Sequence, residues 1–597
     1  MKNKVIPEFM EQLNQIYEPK VVAIPPINPY RDLLILPSGE IRHYGIRKTE
    51  KENIFFYISS RDYGLSWQEF HTPSHSPGAC IRSPWSGDWI TVLDVSFLRR
   101  DLELKSTPMG LSDGLYVCRS KRGIDAKFDT ILLSTQKTFM MIRQPVPLKR
   151  YKRWLIPAHY KDSKGLNHIV VLRSDDDAYS WQETQLEDVP PCPILKHHKG
   201  LRWQTYGCEP TIVELSDGRV WMLIRTSHNF HYEAYSNDGG INWTTPIPSR
   251  FYACNTMPTL FKLTDGRILL FWCNTTPLPE VDHSQYSYLE EWERMGFGED
   301  VFTNRDVIHA AISDDDGKTW IGFRELFLNE HRNDNDFRTS GKNEESLDKS
   351  VHQSQAVELP YGKVMVAFGQ HHLCRKIVIF DPAWLYENER KDDFSSGLQN
   401  WSIHLYVKSI LGNFKGISGH CAYNRRPGAQ LIPSPDGKLR EVLQIARYPD
   451  PRLIEEREGA VWNFPNAVSG KITLLFWISS NFKGCKISIM DHWFNPSDVT
   501  AYESAIFTLS ISNTGKILNT PLSCEFDKWQ YLTIKWENTF TSPAYIKVGI
   551  NKFYKIPLLN RSINGASYIH IQSSALDKDY YGILIKEVRM KKSHKKK

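Results

Sequence analysis

The stretch Ser60-Arg61-Asp62-Tyr63-Gly64-Leu65-Ser66-Trp67 is the first copy of a pattern, Ser-x-Asp-x-Gly-x-x-Trp, that recurs along the chain. Further copies stand at Ser174-Asp176-Ala178-Trp181, Ser236-Asp238-Gly240-Trp243 and Ser313-Asp315-Gly317-Trp320, the second with Ala178 in place of glycine. Each follows a strand-like run, such as Ile54 to Ile58, and is followed by more strand. A Ser and an Asp two residues apart bond the backbone of a tight turn, glycine supplies a positive φ, and the Trp is expected to pack back over the turn. One match is within chance; four mark a repeat.

Working outward, a second series of turns lies between apolar strands. They fall at Pro37-Ser38-Gly39, Ser86-Gly87-Asp88, Lys149-Arg150-Tyr151, Asp217-Gly218, Asp265-Gly266 and Tyr361-Gly362. That makes six hairpins, with the Ser/Asp/Trp turns in the first, third, fourth and fifth units. Many short strands with regular turn signals predict an all-β chain built as a six-bladed β-propeller, with seven blades as the alternative count.

The four copies resemble the Asp-boxes of the sialidase-like (BNR repeat) propellers. In that family the boxes lie on outer hairpins away from the active site, so they speak for fold and not for chemistry. Near residue 390 the pattern changes. Residues 387–397 (ENERKDDFSSG) read as a charged linker between a propeller at 1–390 and a second domain at 391–597. Beyond it, alternating runs at Ile472 to Ile478 and Trp529 to Ile534, with Ala460 to Pro465 and Gly582 to Ile585, read as sandwich strands. They resemble the jelly-roll (concanavalin or laminin-G-like) modules attached to such propellers, with a purely structural accessory domain as the alternative.

Propeller ligands sit over the axis at one rim. The resemblance implies three arginines for a substrate carboxylate, a Tyr activated by a Glu as nucleophile, and an Asp as acid and base. Glu209 lies nine residues before Gly218 and Arg225 seven after it, so both are expected at the end of one hairpin opposite its turn. They resemble the Glu and second Arg of the family; a structural salt bridge between neighbouring strands is the alternative. Arg31 resembles the first-blade Arg, displaced along its strand, and Arg305, ahead of the fourth box, stands as the third. The tyrosine position, nine residues before Gly362, holds Gln353 beside His352, and between Arg31 and the first box only Glu50 and Glu52 offer carboxyls. His352 is thus a candidate acid or base, with His309, His371 and His372 nearby in sequence.

Composition narrows the partners. The 597 residues are 41% hydrophobic, 24% charged and 12% aromatic, with a net charge of +6 and a basic patch only at the C-terminal end. That balance argues against a nucleic-acid groove. No run reaches the length of a membrane span, and the ten cysteines show no CxxC or close Cys/His spacing, so neither zinc nor another cofactor is called for. The first twenty residues lack the apolar core of a secretory signal, which gives a cytoplasmic expectation, or a secreted or periplasmic one if a signal has been removed. The leading expectation is an exo-acting glycoside hydrolase that takes a terminal acidic sugar, sialic acid or another, from a glycan. Its rivals are a uronate-directed lyase using His352 and a non-catalytic carbohydrate-binding propeller.

Overall fold

The computed structural model describes residues 7–27, 32–72, 80–101, 110–135, 139–164, 166–190, 207–276, 305–334, 350–370, 373–407, 424–448 and 457–593. Two packed arrangements of antiparallel β-sheet account for nearly all of them.

The first is a ring of six blades. Blade 1 runs through Leu33–Ile35, Ile41–Lys48, Asn53–Ser60 and Gln68–His71, and blade 2 through Ile81–Arg82, Trp89–Asp94, Leu115–Ser120 and Asp129–Ser134. Blade 3 has a split inner strand, Phe139–Ile142 and Val146–Leu148, followed by Arg153–Lys161, Asn167–Ser174 and Gln182–Gln185. Blade 4 is Cys208–Glu214, Val220–Arg225, Phe230–Ser236 and Ile247–Tyr252; blade 5 is Thr259–Lys262, Ile268–Trp272, Val307–Ser313 and Ile321–Leu328. Blade 6 takes Gln355–Glu358, Val364–Phe368 and Lys376–Phe380 from one end of the chain and Lys20–Ala23 from the other. That shared blade closes the ring by pairing the N-terminal strand Lys20–Ala23 onto the outer side of blade 6. All six expected turns join first and second strands.

The repeated boxes form the turns between third and fourth strands, as their chemistry requires. In blade 1 the Ser60 hydroxyl donates to Asp62 (2.8 Å) and accepts from the Gly64 amide (2.7 Å), while the Trp67 indole donates to the Gly64 carbonyl (3.0 Å). The same bonds recur around Gly240 and Gly317. Ala178 adopts the same positive φ of 72°, a strained value for a residue with a Cβ, and there the Trp181 indole N–H is left without a partner.

The second arrangement is a sandwich. One sheet holds eight strands, in the order Gln430–Pro433, Glu441–Arg447, Asp579–Lys592, Gly470–Ile478, Gln530–Trp536, Ala544–Val548 and Tyr554–Ile556, with Glu389–Asp392 also on Asp579–Lys592. The other holds Trp401–Ser402, Gly459–Ala467, Ala566–Ser573, Gly484–Met490 and Phe507–Ser512. Trp462, Trp536, Phe476 and Ile585 fill the space between them. The expected linker is therefore corrected: within 387–397, Glu389–Asp392 is a sheet strand, because Lys391 and Glu389 find ladder partners in Arg589 and Lys591.

The sandwich does not dangle from the propeller. Asn463 donates to the Phe323 and Ser567 carbonyls (3.0 and 3.1 Å) and accepts from the Glu325 amide (3.2 Å). Asn466 serves Gly322 and Trp320 in the same way. The Tyr568 hydroxyl donates to Glu325 (2.8 Å) and so accepts from His309 Nε2 (2.5 Å), which leaves Nδ1 to accept from the Asn274 amide (3.0 Å). Burial pushes His309 down to about 3, consistent with that neutral form. His309 is thus an interface residue, away from the axis. Truncating Asn463 to leucine strands three buried backbone partners, so unfolding in urea is expected to show a loss of roughly 2–4 kcal/mol; a change within experimental error would refute the assignment.

Candidate functional site

The inner strands set a polar collar across the axis. Thr211, Thr259 and Gln355 stand at one height in blades 4, 5 and 6, opposite Leu223, Phe271 and Ala367. Arg143 takes the same height in blade 3, opposite Pro157. The blades are tied there: Thr211 Oγ1 accepts from the Leu260 amide (3.1 Å), Gln355 Oε1 from the Leu33 amide (2.9 Å), and Arg143 Nη2 donates to the Pro258 carbonyl (2.5 Å). A cavity of about 430 Å³ opens on the turn side of this collar, walled by Val213, Phe261 and Leu263 with Lys262 and Glu214. It lies behind the candidate residues and does not include Glu209, Arg225 or Arg305.

On the other side of the collar, Cys208 pairs with Arg225 and a bulge lets Glu209 leave the ladder at φ 43°. The Glu209 carboxylate accepts from Arg225 Nη1 at 2.7 Å. The same guanidinium donates through Nε to Asn255 Oδ1 (3.0 Å), and Arg305 Nη2 donates to the Asn255 carbonyl (2.9 Å). Asn255, at φ 58°, therefore holds both arginines with one residue; asparagine tolerates that conformation better than most side chains. Glu209, Arg225 and Arg305 are buried, the last completely.

Of the sequence-selected residues, the structure brings Glu209, Arg225 and Arg305 into one cluster. His352 joins it: fields from Arg305 and Arg225 act on the ring, which bonds Gln370 Oε1 through Nε2 (3.0 Å). Gln353 follows it in a left-handed turn at φ 62°. Arg31, His371 and His372 lie outside the described residues, so their positions do not enter. Glu50 and Glu52 are exposed on the Lys48 to Asn53 hairpin. Two members of the cluster escaped sequence reading besides Asn255. His159 Nδ1 accepts from the Glu209 amide (3.2 Å), and Arg143 reaches the cluster from the collar. Neither lies in a repeated pattern; only the packing of blade 3 against blades 4 and 5 shows them. Among the described residues no group of three His, Cys, Asp or Glu is placed to hold a metal.

Electrostatics sort these groups into fixed charge states. Burial alone would raise the Glu209 carboxyl, but Arg225, His159 and Arg143 hold it below the usual carboxylate range. Burial pushes His159 down to about 4, with Glu209 opposing and the neighbouring arginines reinforcing. His352 is driven well below its ordinary value by burial, then by Arg305 and Arg225. At neutral pH the cluster therefore carries three guanidinium groups, one carboxylate and two neutral imidazoles. Such a site prefers an anion, and planar guanidinium forks suit a carboxylate.

Residues 127–369, within the propeller, match the model of the BNR repeat-like domain. No curated protein matches. Among solved structures, the sialidase of Trypanosoma rangeli with 2,3-difluorosialic acid is 10% identical, covers 95% of this chain and 91% of its own, and has a TM-score of 0.35. The intramolecular trans-sialidase of Ruminococcus gnavus is 13% identical, with coverage of 60% and 95% and a TM-score of 0.36. A protein of unknown function from Dyadobacter fermentans is 18% identical, with coverage of 61% and 97% and the same TM-score, 0.36.

The lowered Glu209 value fixes a pH dependence. The Glu209–Arg225 pair adds stability above the unfolded glutamate value of about 4.3, and that contribution is lost as pH falls through the lower folded value. Denaturant titrations of wild type and Glu209→Gln should differ by a constant amount from pH 7 to about pH 5 and converge in stronger acid. A difference that shrinks already between pH 7 and pH 5 would show that the carboxyl is not held low.

Proposed function

We propose that the chain is an exo-acting glycoside hydrolase that removes a terminal carboxylated sugar from a glycan. Arg225 and Arg305 grip the carboxylate in this reading, with Arg31 as the third arginine on the sequence evidence and Arg143 as a further positive charge beneath. The observation that carries it is the excess of buried guanidinium charge around one carboxylate on the side of the collar away from the inner turns.

The charge states constrain the roles. In this scheme ionised Glu209 takes a proton from a water whose oxygen bonds the anomeric carbon as the glycosidic C–O bond breaks, and the departing oxygen takes its proton from His352, charged once the substrate carboxylate is bound. Gln353 stands at the tyrosine position of the sialidases; an amide orients a ligand by hydrogen bonds but does not attack carbon, so the proposed reaction does not pass through a tyrosyl intermediate. Burial first, and then the fields of Arg305 and Arg225, make His352 a weak base. A bound carboxylate offsets those fields and raises its proton affinity, so binding and proton transfer are coupled at this ring.

A panel of glycans ending in sialic, glucuronic or galacturonic acid tests the proposal. Glu209→Gln and Arg225→Ala should each lower kcat/KM by on the order of 100-fold or more. Unchanged turnover in both variants would end it. Gln353 also favours a second reading, a propeller that binds the sugar without cleaving it; tight binding to an array with no product from any glycan would replace the hydrolase with that reading.

A further inference from the structure

The sandwich presents a face that its own packing does not explain. Along Gly470–Ile478 alternate residues are buried, so Ile472, Leu474 and Phe476 enter the core while Lys471, Thr473, Leu475 and Trp477 face outward. The opposite sheet is covered on both sides, with every residue of Gly459–Ala467 and Ala566–Ser573 buried between this sheet and the propeller. The outward face of the eight-stranded sheet therefore points away from the propeller.

Register places its cations in two rungs across the strands. One rung reads Glu389, Lys591, Lys471, Lys535, Tyr545, Lys555, each directly opposite the next. The neighbouring rung reads Lys391, Arg589, Thr473, Thr533, Lys547. Seven cations thus face one carboxylate on the two rungs; with Glu587, Asp393 and Glu537 at the borders counted, cations still lead seven to four. Arg589 and Lys591 share Glu389 at 3.1 and 3.9 Å. Like charges directly opposite in a ladder are destabilising, and Lys591, Lys471 and Lys535 are such a series on three adjacent strands in the interior of the sheet. Lysines kept only for solubility, or to guard an edge, are interspersed with acids or placed on edge strands. A local rule broken without structural gain marks a functional surface.

Beside the rungs the same face turns aromatic. Tyr531 is half exposed opposite Leu475, and Trp477 meets Trp529 edge to face at 5.6 Å, with Lys586 Nζ 5.0 Å above the Trp529 ring. Aromatic faces pack on the C–H faces of sugars, and lysine rows neutralise repeated carboxylate or sulfate groups. We propose that this face binds an acidic polysaccharide, its anionic groups along the two lysine rungs and its sugar faces on Tyr531 and Trp477. A flat sheet face does not enter a duplex groove. The surface is separate from the axial cluster and does not rest on its activity.

Calorimetry on the full chain tests it, with heparin as a sulfated probe, polygalacturonate as a carboxylated one and dextran as the neutral control. The triple variant Lys471→Gln, Lys535→Gln, Lys547→Gln should bind both acidic probes about tenfold more weakly, with a thermal midpoint equal to or above wild type. Tyr531→Ala should weaken binding with little change in its salt dependence. Heparin alone or polygalacturonate alone would assign the anion as sulfate or carboxylate. Absent binding of both, undiminished binding by the triple variant, or tighter binding to oligo-dT or phosphatidylserine vesicles would overturn the proposal.

Discussion

Three guanidinium groups withdrawn from water around one axis are the constraint on which the candidate site depends. A buried cation is stable only where its donors are met. Arg225 meets Glu209 and Asn255, Arg305 meets the Asn255 carbonyl, and Arg143 meets Pro258 in the next blade but one. None of these partners lies next to its arginine in sequence. They converge because six blades of equal height close into a ring, and the N-terminal strand Lys20–Ala23 keeps that ring shut by pairing with Lys376–Phe380. The bulge at Glu209 and the left-handed turns at Asn255 and Gln353 are local strains that this ring holds in place.

Much of the architecture was legible because it is written in short-range chemistry. A Ser-x-Asp-x-Gly-x-x-Trp turn bonds only to itself, so its four copies announce outer hairpins before any pairing is known, and the glycine turns locate the first hairpin of each blade. Glu209 and Arg225 were legible for the same reason, since one hairpin carries both. What was hidden is what depends on partners distant in sequence. The closing strand at Lys20–Ala23 carries no motif. Glu389–Asp392 reads as a charged linker because its strand character comes from its neighbour, Asp579–Lys592. Asn255 and His159 owe their roles to a blade boundary, and His309, noted only as a histidine near His352, bonds Tyr568 at the sandwich interface.

The two halves divide the labour of polar groups differently. At the axis, buried cations are fixed by side-chain and carbonyl acceptors and the histidines are kept neutral, which leaves a preorganised cluster with an excess of positive charge. At the interface, Asn463, Asn466 and Tyr568 are saturated with hydrogen bonds and leave little to titrate or move. On the outward sheet face, cations stand exposed and opposed. Only the first and last arrangements retain electrostatic capacity for a ligand, and both are of the sign that attracts acidic sugars.

The central claim is that the axial cluster recognises a carboxylate. The most direct measurement is calorimetric binding of a matched pair, N-acetylneuraminic acid and its methyl ester, or glucuronic acid and glucose, to wild type and to Arg225→Ala. The account predicts that wild type prefers the acid by at least about tenfold and that the variant loses the preference. Equal affinity of wild type for the acid and its uncharged partner would contradict it.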